Sequence, residues 1–532
     1  MKISTKKSTY IGIIVLLAAA LTAILISYVG SSGAPLIVVS GNAQAGDLNI
    51  EPCVIEIESG TYDADCGTVV VRENRQNIES RLIALPVTRI RATSDEPAEP
   101  IFFLNGGPGM SNMNGQPLAE LLVNHDFVMV GYRGVDGNVK LDCPEVAQAV
   151  KGDGVDVLSE QSQAGLSAAM RQCATRLQAD GVDLDGYTIE DTIGDMEAAR
   201  IALGYERINL LSRSYGTRVA QLYANQHPDH IYRSAMVSVN PPGRFVWEPE
   251  MIDAQIEQYS QLYGQSDSPR SPNLAATMRT VSHNMPQRWL FFKIDPGKVK
   301  SVTFALLFHR NTAAQVFDAW LAAENGDPSG LALMSLAYDF VIPSMFIYGE
   351  FFAKAFSADY DADRDYATAM EPQDSIIGSP LSKLIWGSAT DAAGVTWPTK
   401  AIPAELRQVQ PSAVETLLVS GNIDFSTPAE FATNELLPTL ANGKQVILAD
   451  MGHVNDVMTL QPAATERLLT SFYDSGEADD SLFTYEPMDF QVGLGFPQIA
   501  KLALSGVTAV LLAIIGAIWF VVRRRRQNRA LS

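Results

Sequence analysis

The chain has 532 residues, 47% of them apolar and 19% charged, with a formal net charge of −21. Such acidity excludes a nucleic-acid surface, because phosphates need a basic face. The absence of zinc-type cysteine pairs, a Walker loop or a Rossmann glycine fingerprint predicts no metal and no cofactor. The length exceeds one minimal domain and suits a large core carrying an inserted module.

Residues 1–46 form a signal or anchor segment. After Lys2, Lys6 and Lys7 no charge appears until Asp47, and residues 10–29 are almost wholly apolar. Two outcomes stay open, a signal peptide cleaved near Ala43-Gln44-Ala45 or a retained membrane helix. The four cysteines, Cys53, Cys66, Cys143 and Cys173, predict two disulfides in an oxidising compartment. Of three possible pairings, sequence proximity favours Cys53–Cys66 and Cys143–Cys173.

Residues 47–240 carry the pattern of a doubly wound α/β core. The runs at 68–73 and 81–92 are predicted strands, followed by short continuous apolar runs at 101–105 and 127–132 that suit parallel strands covered on both faces. A helix is expected over 193–204, a strand over 208–212, a helix over 215–226 and a strand over 234–239. Residues 241–405 then turn helical and irregular, rich in aromatics and methionine, and are expected to form a lid over the strand ends. The strand rhythm resumes over 406–473, in the runs 416–424 and 445–453.

Residues 474–498 are a polar, acidic linker. Residues 499–522 are an apolar transmembrane helix, and 523–532 a tail that begins with Arg523, Arg524, Arg525 and Arg526. Since basic flanks stay cytoplasmic, the C-terminus is expected inside and the region from Asp47 to Phe490 outside.

The chemistry centres on Ser214. A serine on a sharp strand-to-helix turn has its hydroxyl pushed clear of the sheet and a helix N-terminus beside it. The crowding of that turn demands small neighbours, which Gly216 and Ser212 supply. A hydroxyl at neutral pH is a poor nucleophile and needs a base, itself oriented by a third group. Of the six histidines, His453 follows a strand-like run, and Asp424 follows another, so both lie at the carboxyl edge where open α/β sheets build their sites. Asp450 and Asp456 are weaker rivals for the acid, being too near His453 in sequence to orient it from the next strand's loop. The glycines of Asn105-Gly106-Gly107-Pro108-Gly109 can expose N–H groups. Gly106, Gly107 and the N–H of Tyr215 are the expected oxyanion hole.

These residues resemble the α/β-hydrolase serine exopeptidases, the proline iminopeptidase and tripeptidyl-aminopeptidase-like group. The resemblance rests on NGGPG at 105–109, GYRG at 131–134, LDCPE at 141–145, SYGTR at 214–218, GNIDFSTP at 421–428 and GH at 452–453. It implies an α/β-hydrolase fold and a Ser214, Asp424, His453 triad working through an acyl-enzyme. Asn105 and Ser212 stand where that group usually has histidine and glycine. The group's lid carboxylates bind a substrate amine, which makes Glu248 and Glu250 candidates here, with Glu324 and Glu350 further on. Three functions follow: an aminopeptidase on short peptides, an esterase or lipase-like enzyme with the same triad, or a catalytically silent binding protein on a hydrolase scaffold.

Overall fold

The computed structural model describes residues 37–152 and 154–530. The apolar segment expected at 10–29 lies outside them. The chain divides into two units, one of them Val38–Pro497 and the other containing the C-terminal helix.

The larger unit is built on nine strands: β1 (Leu48–Ile57), β2 (Gly60–Arg72), β3 (Leu82–Ile90), β4 (Ala98–Leu104), β5 (His125–Val130), β6 (Ile208–Arg213), β7 (Ile231–Val237), β8 (Glu415–Gly421) and β9 (Gly443–Leu448). They lie in the order β1-β2-β3-β5-β4-β6-β7-β8-β9. The first three are antiparallel to their neighbours, and β5 through β9 run parallel. Parallel neighbours need crossovers, which helices supply on both faces.

Alternation along β4 shows how these runs feed two cores. Phe102 and Leu104 enter one apolar cluster, Ile101 and Phe103 the other, each at most 1% exposed. The helices expected from periodicity form at α2 (Ile189–Leu203) and α3 (Tyr215–Gln226), preceded by α1 (Glu160–Ala179), which was not among the expected elements. Helix α2 begins four residues earlier than its apolar pattern suggests. Thr188 and Asp191 form a reciprocal capping box there, and Gly204 ends the helix at φ +82°.

Strand β1 was not evident as a strand. It is an edge strand containing Pro52, with half its residues facing solvent. Its pairing with β2 brings Cys53 to Cys66, Cα atoms 5.8 Å apart, and Cys143 bonds Cys173 of α1 at 5.5 Å. Closing loops of 13 and 30 residues restrains the unfolded chain, each by roughly 3 kcal/mol.

Between β7 and β8 the chain is mainly helical: α4 (Pro249–Gly264), α5 (Leu274–His283), α6 (Pro296–Leu306), α7 (Arg310–Glu324), α8 (Ser329–Val341), α9 (Tyr348–Ala358) and α10 (Pro380–Trp386). After β9 comes α11 (Pro462–Ser475). The acidic stretch expected as a linker makes contacts with this unit. Gln461 Nε2 donates to the Thr484 carbonyl at 2.7 Å, and the Phe490 ring stands 5.3 Å from Tyr263. The last helix, α12 (Phe496–Ala530), is apolar and long enough over Phe496–Arg524 to cross a membrane.

Candidate active site

Ser214 joins β6 to α3 with φ +52° and ψ −125°, a conformation closed to most side-chain-bearing residues. Such strain costs of order 1–3 kcal/mol and persists only where the surroundings enforce it. They do so here by close approach. A Cβ on Gly216 would collide with the backbone carbonyl of Leu104 and stand 2.6 Å from that of Asn105. One on Gly106 would meet Cβ of Ser214 itself, at 2.5 Å. Ser212 is fully buried, and its hydroxyl donates to the Ala235 carbonyl of β7 at 3.2 Å. A serine is therefore accommodated where a glycine would be easier, because its polar atom has a partner across the sheet.

Ser214 Oγ stands 3.0 Å from Nε2 of His453, whose Nδ1 stands 2.9 Å from Oδ2 and 3.0 Å from Oδ1 of Asp424. The loops after β6, β8 and β9 thus bring three distant residues together at one edge of the sheet. Asp424 is fully buried and also accepts from the N–H groups of Ser426 and Thr427 at 3.0 and 2.8 Å. Burial alone would push its carboxyl up. The charge and hydrogen bond of His453, the Thr427 N–H and the Ser238 hydroxyl outweigh that and hold it below its ordinary range. Facing an ionised carboxylate, Nδ1 carries the proton and Nε2 presents its lone pair to the Ser214 hydroxyl.

Four supports of this arrangement escaped the sequence reading. The Thr427 hydroxyl donates to Asp424 Oδ2 at 2.9 Å, a contact foreshadowed by a hydroxyl three residues after an acid on a turn. Ser238, at φ +58°, accepts from the N–H of Val454 at 2.9 Å. The N–H of His453 donates to the Phe308 carbonyl at 2.7 Å, and the Phe308 ring stands edge-on to the imidazole at 5.2 Å. Nothing in the local sequence around Phe308 marks it.

The turn after β4 is held from below by Asn112. This buried amide donates to the Phe103 and Val130 carbonyls and accepts from the N–H of Asn105 at 2.7 Å. Asn105 in turn donates to the Ser111 carbonyl at 2.9 Å. Gly107 and Gly109 take φ +69° and +80°. Among the described residues none accepts from the N–H of Gly106 or Gly107. Both glycines, with Tyr215, line the same cavity as Ser214 and His453. Its volume is about 370 Å³, and its walls include Phe245, Trp247, Phe308, Met345, Phe346 and Phe351 from the helical segment.

None of the four acids expected to meet a substrate amine is among the residues lining this cavity. Glu248 is held bidentately by Arg364 at 2.7 and 2.6 Å, Glu250 is exposed, and neither lines the cavity. Glu324 accepts from the Thr277 hydroxyl at 3.0 Å. Glu350 is buried beside Lys354, with Nζ at 3.4 Å, and accepts the N–H of Gly109. Burial pushes its carboxyl up, against the pull of Lys354 and that N–H. The rival acids are also occupied: Asp450 accepts from the Tyr485 hydroxyl, and Asp456 from the N–H groups of Gly452 and Arg310.

The family model described as the alpha/beta hydrolase fold matches residues 99–349. Tripeptidyl aminopeptidases of Streptomyces lividans and Streptomyces coelicolor are each 28% identical over 247 residues, 44% of this chain and 46% of theirs. The match thus spans about half the length of those relatives. A serine hydrolase from the polyaromatic-hydrocarbon-degrading Cycloclasticus zankles aligns at 12% identity over 78% of this chain and 100% of its own, with a TM-score of 0.37. The strand order and the family-model match together give this chain the α/β-hydrolase fold.

Proposed function

We propose that the protein is a serine hydrolase working through an acyl-enzyme on Ser214, and that it releases short N-terminal units from peptides. In this reading Ser214 attacks the carbonyl carbon. His453 takes the hydroxyl proton through Nε2 and returns it to the leaving group, while Asp424 orients the ring and stabilises its charge. The N–H groups of Gly106, Gly107 and Tyr215 receive the developing oxyanion, where loss of one donor typically lowers the rate about 10²–10³-fold. The helices of 241–405 act as a lid that keeps water from the acyl-enzyme. The carrying observation is the unbroken contact chain from Ser214 through His453 to Asp424, 3.0 and 2.9 Å, opening on a cavity. The aminopeptidase relatives support a peptide substrate.

A second reading, a carboxylic-ester hydrolase with the same residues, is favoured by one observation. None of the described residues lining the cavity is Asp or Glu, so no acid there faces a substrate ammonium. We read α12 as a membrane anchor with Arg523 and Arg524 on the cytoplasmic side. The disulfide-bonded unit then lies in the oxidising space outside.

A panel of fluorogenic peptides, free and blocked at the α-amine, together with acyl esters, tests the assignment on the detergent-solubilised chain. Peptide cleavage lost on blocking the amine supports the aminopeptidase. Turnover of esters alone moves the assignment to the second reading. No turnover of either by folded protein rejects both.

A further inference from the structure

Arg213 precedes Ser214 and shares its cavity. Side chains alternate along β6, so Arg213 lies on the same face as Leu211, over Phe103, with its guanidinium carbon 5.0 Å from that ring's centroid. Arg213 is half-buried, whereas the fully buried arginines are matched by acids: Arg133 by Asp195 at 2.6 Å, and Arg218 by Asp359. Arg213 has no such partner among the described residues, and its Nε is buried without an acceptor. Burial pushes the guanidinium down to about 10, opposed by Tyr473 alone. In a chain with a net charge of −21, acids are plentiful, yet the cation beside Ser214 is left unmatched.

A half-buried cation beside an apolar cavity, with no acid partner and with Nε enclosed without an acceptor, can meet an anionic ligand. The planar guanidinium fork matches a carboxylate and can hold it through two parallel hydrogen bonds. A short peptide brings a carboxylate either as its chain terminus or on an acidic side chain. The cavity's apolar walls and lack of lining acids suit such a substrate better than one entering with its ammonium first.

We propose that Arg213 is a specificity-determining residue that binds a carboxylate of the substrate held at Ser214. This rests on the reading of Ser214 as the nucleophile and adds a charge requirement to it. Its consequence is that the preferred substrate carries a carboxylate near the bond that breaks.

The test compares matched peptides: free C-terminal acid against amide, and glutamate against glutamine beside the scissile bond. In the wild-type chain kcat/KM should fall roughly 10- to 100-fold when the relevant carboxylate is removed. The pair that shows the drop identifies its source. Arg213→Gln should abolish the preference while retaining cleavage of the neutral peptides, and Arg213→Lys should keep part of it. Equal kcat/KM for both members of each pair, or a preference that survives in Arg213→Gln, overturns the proposal. If no peptide is cleaved the functional reading fails, and calorimetry on Ser214→Ala then decides the proposal alone. A tripeptide acid should bind at least tenfold more tightly than its amide, and the difference should vanish in Ser214→Ala/Arg213→Gln. Equal binding of acid and amide overturns it.

Discussion

Gly216 sits so close to the Leu104 carbonyl that no Cβ fits between them. This contact locks the Ser214 turn against the end of β4. Because the obstruction is backbone on a central strand, it has no rotamer to yield. Gly216→Ala should therefore destabilise the unit by about 1–3 kcal/mol and disable the site, read as a lowered melting temperature and lost turnover. Ser212→Gly should be mild by contrast, within about 1 kcal/mol, since it removes only one neutral hydrogen bond. Unaltered melting and turnover in Gly216→Ala would show that the turn can open.

Asp424→Asn keeps the shape of the side chain while replacing the carboxylate that selects the Nδ1–H form of His453. In the proposed mechanism kcat should fall about 10⁴-fold with little change in stability. A loss under tenfold would mean that another group orients the imidazole.

Arg133 of the GYRG run is fully buried and grips Asp195 of α2 at 2.6 Å through two nitrogens, while donating also to the Glu73 carbonyl at 2.6 Å. Removing Asp195 leaves the buried Arg133 only the longer contact to Asp191, at 3.7 Å. Asp195→Ala should cost about 3–5 kcal/mol in thermal or denaturant unfolding, and Asp195→Leu/Arg133→Met should recover much of it. A double variant as unstable as the single would show that the remaining hydrogen bonds, and not the ion pair, hold α2.

Glu197 supplies a pH prediction. Burial raises its carboxyl, but the Arg200 and Tyr223 hydrogen bonds, followed by the charges of Arg200 and His227, bring it from an ordinary 4.5 to about 2. The folded value lies below the unfolded one, so its stabilisation is present above about pH 4.5 and is lost as pH falls toward 2. Melting temperature should drop with acid over that window, and Glu197→Gln should flatten the slope. An unchanged slope would place the acid sensitivity in other carboxylates.

Much of this architecture was legible because burial on both faces leaves a plain signature. Strands β4 and β5 carry short apolar runs, Ile101 to Leu104 and Phe127 to Val130, and the helix after Ser214 begins and ends where its amphipathic pattern does, at Tyr215 and Gln226. Both disulfides join the cysteines nearest in sequence. The residues that meet at the site could be ordered from the sequence, since loops after parallel strands share one edge. Their partners were harder to see. Thr427, Ser238 and Phe308 act through turn geometry and backbone carbonyls that leave only weak traces in residue type. Glu248 drew attention as a lid carboxylate, but Arg364, distant in sequence, claims it. Arg213 escaped notice for the opposite reason, since a missing partner is visible only once the packing is known.

The central claim is that the Ser214 hydroxyl is activated by His453, and covalent labelling tests it most directly. A fluorophosphonate probe should modify the folded wild-type chain at Ser214, located by peptide mass spectrometry, and should leave Ser214→Ala unmodified. Folded wild-type protein that takes up no label, or Ser214→Ala that takes up as much, would contradict the account.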